Sequence, residues 1–95
     1  MDLGLKGKTA LVAGGSMGLG KAVALELGRE GARIAIGTLD DAYLPRAAEE
    51  IRQKTGAEVI AVPADVSDPE QAKAFVRQSI DRLGSADILV NNAGG

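Results

Sequence analysis

The sequence predicts an α/β protein in which an open, doubly wound parallel sheet carries helices on both faces. Short and nearly unbroken apolar runs, such as Thr9 to Ala13, are typical of strands buried on both sides. Longer segments with helical spacing of apolar residues separate these runs, so the element order is βαβαβαβ. The connections are long enough to join parallel strands, and right-handed crossovers then place helices on both faces.

The first helix is predicted to begin at about Met17 and to end at Gly31, a residue suited to a left-handed cap. Its apolar residues fall four positions apart and define its expected packing face: Leu19, Val23 and Leu27. Residues 33–38 form the predicted second strand. We expect the first and third helices to share one face of the sheet.

The second helix is predicted to begin near Asp41 and to end at Gly56, so that Pro45 falls in the first turn, where its missing N–H does no harm. Its apolar residues have spacings of 0, 3, 4 and 7 and should point inward: Leu44, Ala47, Ala48 and Ile51. The third strand follows at residues 58–64.

Ser67 and Glu70 have the spacing of a capping box, which predicts the start of the third helix. The expected buried stripe of this helix, which Gly84 ends, is Ala72, Val76, Ile80 and Leu83. Residues 87–90 form the predicted fourth strand. We see no linker or repeat, so residues 1–95 are interpreted as one domain.

Composition excludes several classes of function. A net charge of −2, one Tyr, one Phe and no Trp provide neither a basic field nor stacking platforms for nucleic acid. No apolar run approaches the length of a membrane span. The absence of Cys and His removes disulfides, the usual zinc ligands and imidazole-based triads, so we expect no metal site and a cytoplasmic location.

A glycine-rich turn follows the first strand and opens the first helix, with glycines at positions 14, 15, 18 and 20. Backbone N–H groups at a helix N-terminus bind phosphate, and glycines let the phosphate approach the main chain. The turn is one residue short of an NTPase phosphate loop, because Ala22 replaces the hydroxyl that would hold Mg²⁺. The remaining alternatives are a dinucleotide-binding turn of wide spacing and a purely structural turn.

Three further segments are predicted to reach the same edge of the sheet as this turn. They are Thr38 after the second strand, Asp65 after the third, and residues 91–94 after the fourth. Ligands of open parallel sheets bind outside the carboxyl ends of the strands, so this convergence favours one binding site there.

Taken together, three motifs resemble the short-chain dehydrogenase/reductase family, and within it the 3-oxoacyl-carrier-protein reductase branch. They are Ala13-Gly14-Gly15-Ser16-Met17-Gly18-Leu19-Gly20, Asp65-Val66 and Asn91-Asn92-Ala93-Gly94. The resemblance covers the whole chain and implies a Rossmann-type sheet of strand order 3-2-1-4 in an NAD(P)-dependent oxidoreductase. Ala13 departs from the family pattern, which usually has Thr there.

The resemblance also implies roles for individual residues in dinucleotide binding. The pyrophosphate would lie against the glycine turn: Gly14, Gly18 and Gly20, with the backbone of Ser16, Met17 and Leu19. Asp65 would accept from the adenine amino group, and the Val66 N–H would donate to the ring. The ribose next to the nicotinamide would contact Asn92, Ala93 and Gly94, while Asn91 would tie the fourth strand to its neighbours.

The choice between NAD and NADP depends on the end of the second strand. An acidic residue there binds the ribose 2′-OH of NAD, whereas Arg accommodates the 2′-phosphate of NADP. The equivalent positions hold Thr38 and Leu39, and Asp40 is a candidate substitute for the acid. Because no cation is present at these positions, we expect a slight preference for NAD.

Catalytic residues are not predicted in this sequence. Family members use a Tyr-x-x-x-Lys pair preceded by Ser, whereas the single tyrosine, Tyr43, is followed four residues later by Ala47. We therefore interpret the chain as the truncated, cofactor-binding N-terminal portion of an enzyme that interconverts a carbonyl and an alcohol, inactive by itself and homo-oligomeric when complete. Its fourth strand would be an apolar edge. A stand-alone nucleotide-binding module is the alternative.

Overall fold

A computed structural model describes residues 4–14, 18–39 and 42–91 of the chain. The strands are β1 (Thr9–Ala13), β2 (Arg33–Thr38), β3 (Val59–Pro63) and β4 (Ile88–Asn91). The helices that alternate with them are α1 (Gly18–Arg29), α2 (Leu44–Thr55) and α3 (Pro69–Leu83). Among the described residues, no helix combines the length and apolarity that a membrane span needs.

All strand pairs are parallel, and the sheet order is β3-β2-β1-β4. This arrangement confirms the predicted Rossmann-type sheet and its strand order. Successive residues of a strand point to opposite faces, so β1 contributes Ala10 and Val12 to one core and Leu11 and Ala13 to the other.

The expectation that the first and third helices share a face is wrong. Helices α1 and α2 cover one face of the sheet, and α3 covers the other. The reason is the direction of the crossovers. From β1 to β2 and on to β3 the chain steps one way across the sheet, whereas from β3 to β4 it steps back. Right-handed connections in opposite directions lie on opposite faces.

Helix α1 packs through its predicted face only in part: Val23 and Leu27 are half-buried, and Leu27 packs against the core. Leu19 is 70% exposed, whereas Gly20, Ala24 and Gly28 are buried. A Cβ at Gly28 would lie 3.0–3.1 Å from side-chain atoms of Thr55, so α1 and α2 approach each other closely through small residues. Apolar periodicity was wrong at Leu19 and did not indicate Gly20, Ala24 and Gly28, because the residues in closest contact are the smallest ones.

Helix α2 buries the four predicted residues, Leu44, Ala47, Ala48 and Ile51. It begins at Leu44 rather than near Asp41, which lies outside the described residues, and Pro45 still falls in the first turn. Gly56 ends the helix with a φ of 72°, and its N–H donates to Arg52 O.

Helix α3 is capped by Asp68 rather than by Ser67, because the Asp68 side chain accepts from the Glu70 N–H. Its buried residues are Phe75, Ser79 and Leu83, and Ile80 is 38% exposed. The Ser79 hydroxyl donates to Phe75 O at 2.7 Å, which satisfies it inside the core. The predicted stripe was therefore wrong at Ile80, since a polar residue occupies the inward position.

Candidate functional site

The carboxyl ends of all four strands lie at one edge of the sheet, which we call the carboxyl rim. In the strand register, Ala13 lies between Gly37 of β2 and Asn91 of β4, and Gly37 in turn pairs with Val62 of β3. The segments that follow these strands therefore leave the sheet side by side. This places the described parts of the predicted site on one rim.

The glycine turn leaves β1 at the centre of the rim. Gly14 has a φ of 83°, and its N–H donates to Gly37 O at 2.6 Å. Gly18 begins α1 with a φ of 65°, and a Cβ there would meet nothing within 4 Å. Gly20 is buried. The predicted contacts Ser16 and Met17 lie outside the described residues.

The N-terminus of α1 suits an anion. The first turn of this helix carries no acidic side chain, so nothing there neutralises the positive end of the helix dipole. Open space above Gly18 leaves room for a group to approach the main chain. Leu19, the next residue, is 70% exposed. Among the described residues, the start of α1 therefore has the charge and the space that favour an anion.

The end of β2 lies next to this turn and carries the uncharged side chains of Thr38 and Leu39. Thr38 is half-buried, and its carbonyl accepts from the Ala64 N–H at 3.0 Å, which joins the ends of β2 and β3. Leu39 is 60% exposed. Asp40, the candidate substitute for a ribose-binding acid, lies outside the described residues. Neither Thr38 nor Leu39 brings a charge to this part of the rim.

Asp65 is held in a turn ahead of α3. Its Oδ1 accepts from the Ser67 N–H at 3.1 Å and from the Ser67 hydroxyl at 2.5 Å. Its own N–H donates to Gln71 Oε1 at 2.8 Å. These bonds give Asp65 a structural task in the turn, and they also fix the direction of its carboxylate at the rim.

A small cavity of about 60 Å³ lies beneath the rim on the α3 side of the sheet. Its lining brings together two predicted site residues, Val66 and Asn91, and Ala13 at the end of β1. The rest of the lining is apolar: Ala72, Phe75, Val76 and Leu89. The cavity therefore adjoins Val66, the residue after Asp65, on the α3 side of the sheet. The predicted ribose contacts Asn92, Ala93 and Gly94 lie outside the described residues.

Two residues that support the rim were not singled out from the sequence, Gly37 and Phe75. A Cβ at Gly37 would lie 2.6–2.7 Å from ring atoms of Phe75, so this strand position must be glycine. Phe75 is only 1% exposed and forms one wall of the cavity. A glycine that interrupts a buried strand is the signal that could have indicated such a close approach.

Lys21, the basic residue next to the glycine turn, bonds to the neighbouring helix. Its Nζ lies 2.6 Å from Glu50 Oε2 of α2. The hydrogen bonds from Lys21 and Lys54 hold the pKa of the Glu50 carboxyl below its usual value. In an NTPase phosphate loop the lysine reaches the β- and γ-phosphates instead. The ion pair and the absent hydroxyl at Ala22 both argue against the NTPase alternative.

The sheet order and the glycine turn define the class as a Rossmann-type α/β domain. The sequence model of the short chain dehydrogenases matches residues 8–95, so the chain belongs to this family.

Individual relatives agree with this assignment. The chain is 41% identical over 92 residues to the uncharacterized oxidoreductase YhdF of Bacillus subtilis, covering 94% of this chain and 31% of that protein. It is 40% identical over 88 residues to the 3-oxoacyl-[acyl-carrier-protein] reductase FabG of Staphylococcus aureus, covering 92% and 35%. The chain thus spans about a third of the length of these relatives.

Solved structures give the same picture. L-sorbose reductase from Gluconobacter frateurii, complexed with NADPH and L-sorbose, superimposes with a TM-score of 0.93 at 41% identity. This match covers 100% of the present chain and 36% of the reductase. Hydroxysteroid dehydrogenase from Escherichia coli gives a TM-score of 0.87 at 32% identity, covering 96% and 37%.

Proposed function

We propose that this chain binds a nicotinamide dinucleotide along the carboxyl rim, as the cofactor-binding part of an oxidoreductase that interconverts a carbonyl and an alcohol. One observation carries the proposal: Gly14 and Gly18 have positive φ, and Gly18 begins a helix at the centre of the sheet whose first turn carries no acidic side chain. Membership of the short-chain dehydrogenase family supports the choice of a dinucleotide over another anion.

In this proposal each part of the dinucleotide would contact a different segment of the rim. The pyrophosphate would lie on the main chain from Gly14 to Gly20, where the open space above Gly18 admits it. Asp65 and Val66 would contact the adenine, next to the small apolar cavity. Asn92, Ala93 and Gly94 would line the second ribose. When bound, the nicotinamide donates the hydride that reduces a carbonyl or accepts the hydride that leaves an alcohol.

We further propose that NAD is preferred to NADP. Thr38 and Leu39 provide no cation for a 2′-phosphate, which is the group that distinguishes the two cofactors. L-sorbose reductase was solved with NADPH, so both cofactors must be compared directly. A lower dissociation constant for NADPH than for NADH would overturn this preference.

The 95 residues are proposed to bind without turning over substrate. Tyr43 is the single tyrosine, and Ala47 stands where a Tyr-x-x-x-Lys pair would need lysine. Proton transfer to the carbonyl oxygen would then have no phenol to supply it. Reduction of a ketone by the purified chain at enzyme-like rates would contradict this. A homo-oligomeric complete enzyme and a cytoplasmic location stay predictions.

Titration of the purified chain with NADH, NADPH and Mg²⁺-ATP tests the proposed function. We expect saturable binding of a dinucleotide and none of Mg²⁺-ATP. In the variant Gly18→Asp, a carboxylate replaces open space where the pyrophosphate should lie, so NADH affinity should fall at least about tenfold.

Gly84→Asp is the matched control for that experiment. Gly84 also has a positive φ, 90°, and open space around its Cβ position, but it ends α3 and is remote from the rim. Its NADH affinity should equal that of the unaltered chain. Equal affinities for both variants, or no dinucleotide binding by the unaltered chain, would overturn the proposal.

A further inference from the structure

The side chain of Gln71 closes the turn that joins β3 to α3. Its Oε1 accepts from the Asp65 N–H at 2.8 Å, six positions earlier in the chain. Its Nε2 donates to Oδ2 of Asp68, the N-cap of α3, at 3.3 Å. One glutamine therefore connects Asp65, a predicted adenine contact, to the start of the helix.

The position of Gln71 in α3 explains why it reaches so far back. It is the third residue after the N-cap Asp68, and a Glu or Gln at that position ordinarily accepts from the N–H of the N-cap residue. Here the Asp68 N–H already donates to Asp65 O at 3.0 Å. The Gln71 oxygen therefore bonds to the Asp65 N–H instead.

Hydrogen bonds hold both the main chain and the side chain of Asp65. Gln71 accepts from its N–H, and its carbonyl accepts from the Asp68 N–H. Its Oδ1 accepts from the Ser67 N–H and from the Ser67 hydroxyl. Within the described part of the chain, no hydrogen bond uses Asp65 Oδ2. Oδ2 is therefore the oxygen through which Asp65 can accept from a ligand.

The direction of the Val66 N–H follows from the same bonds. The Asp65 carbonyl and the Val66 N–H belong to one trans peptide, so they point in opposite directions. Because the carbonyl points to the Asp68 N–H, the Val66 N–H points away from the start of α3. The Val66 side chain is half-buried and packs against the core on the α3 side of the sheet.

A carboxylate oxygen next to a main-chain N–H matches one edge of adenine. Adenine carries an amino group at C6, which is a donor, beside the ring nitrogen N1, which is an acceptor. In hypoxanthine an oxygen replaces the amino group and N1 carries a hydrogen, so both polarities are reversed. A fixed pair of polar groups rejects a ligand that leaves it unpaired. Selection between the two bases therefore depends on how firmly Asp65 and Val66 are held.

We propose that Gln71 is a positioning residue that makes the cofactor site select adenine over a 6-oxopurine, because it holds Asp65 and Val66 in place. The inference rests on the proposed function, since it requires a dinucleotide on the rim. Gln71 acts through Asp65, because its oxygen and its nitrogen are engaged by Asp65 and Asp68. Its loss should change the recognition of the base more than the binding of the other parts of the dinucleotide.

The experiment measures the dissociation constants of two probes, NADH and reduced nicotinamide hypoxanthine dinucleotide. Both carry the same reduced nicotinamide, so its fluorescence reports their binding in the same way. The unaltered chain should bind NADH about tenfold more tightly than the hypoxanthine probe. Gln71→Ala should weaken NADH binding about fivefold and change the affinity for the hypoxanthine probe less than about twofold, so the ratio of the two constants should approach one.

Three further variants separate positioning from a general loss of structure. Gln71→Glu keeps an oxygen acceptor for the Asp65 N–H and should retain most of the ratio. Ser67→Ala removes a hydroxyl that donates to Asp65 Oδ1 and should lower the ratio in the same direction as Gln71→Ala. Gln78→Ala is the matched control, because Gln78 is an exposed glutamine about two turns further along α3, and it should leave both constants unchanged.

An equal loss of affinity for both probes in Gln71→Ala would overturn the inference, because a merely structural role has that effect. A ratio that stays unchanged in Gln71→Ala, or in Ser67→Ala where the first variant does not fold, contradicts it as well. NADH binding by the unaltered chain with either result leaves the proposed function standing. No dinucleotide binding by the unaltered chain would count against the proposed function and this inference together.

Discussion

The two ends of the sheet are built in different ways. At the carboxyl rim the strands are joined by main-chain bonds, such as Gly14 N–H to Gly37 O and Ala64 N–H to Thr38 O. At the amino end, side chains form the connections: the Thr9 N–H donates to Asp87 Oδ2, and Thr9 Oγ1 accepts from Arg33 and from the Ser85 hydroxyl. A ligand site needs open space and backbone donors, whereas side chains can fill the opposite end of the sheet. The side-chain bonds therefore lie at the end where no ligand is proposed to bind.

The largest expected effect on stability comes from Gly37, near the rim, because its lack of a side chain leaves room for the Phe75 ring. Gly37→Ala would place a Cβ 2.6–2.7 Å from the Phe75 ring, which is fully buried and cannot move aside. We expect a loss of about 3 kcal/mol in the free energy of unfolding, the upper end of overpacking costs. Urea denaturation measures it.

The double variant Gly37→Ala/Phe75→Leu tests whether the clash is the cause. Leucine at position 75 leaves room for the new Cβ. The double variant should therefore lose much less unfolding free energy than the sum of the losses in the two single variants, because both changes act on one contact. Fully additive losses would show that Gly37 is required for its backbone alone.

An intermediate effect compares two threonines, one at each end of the sheet. Thr9→Val removes a buried hydroxyl that accepts from Arg33 and Ser85, and we expect it to cost about 1 kcal/mol, because both partners are only half-buried and can bond water. Thr38→Val retains the carbonyl that accepts from Ala64 and should cost less than about 0.5 kcal/mol. Equal losses of unfolding free energy in the two variants, measured by thermal or urea unfolding, would contradict the different construction of the two ends of the sheet.

The smallest effect belongs to the ion pair between α1 and α2 beside the rim. Since Lys21 lowers the folded-state pKa of Glu50, its stabilisation is present above the unfolded pKa of about 4.5 and is lost as the pH falls through the lower folded value. The difference in urea midpoint between the unaltered chain and Glu50→Gln should therefore shrink in acid. It should also shrink in about 1 M salt.

Glu49→Gln serves as the control for the ion pair, because the bonds of Glu49 in the described part of the chain go to Arg52 and Gln53 of its own helix. At neutral pH, Glu49→Gln should lower the urea midpoint less than Glu50→Gln does, because it leaves the contact between α1 and α2 intact. A difference between the Glu50 variant and the unaltered chain that grows as the pH falls would contradict the assigned direction.

The sequence by itself determined the element order, the parallel sheet and the segments that meet at the rim. Unbroken apolar runs, glycines at turns and large inward residues such as Leu44 and Ile51 indicate these features locally. It also determined the family, because the motifs lie at the ends of successive strands.

Only the tertiary structure decided which residues of α1 and α3 face the core, how closely the elements approach and which side chains join the starts of the strands. Gly28 packs because Thr55 lies opposite, and Ser79 is buried because its hydroxyl finds a carbonyl. Asp87 reaches a residue 78 positions earlier in the chain. Contacts of this kind depend on partners far away in sequence, and no local pattern of hydrophobicity records them.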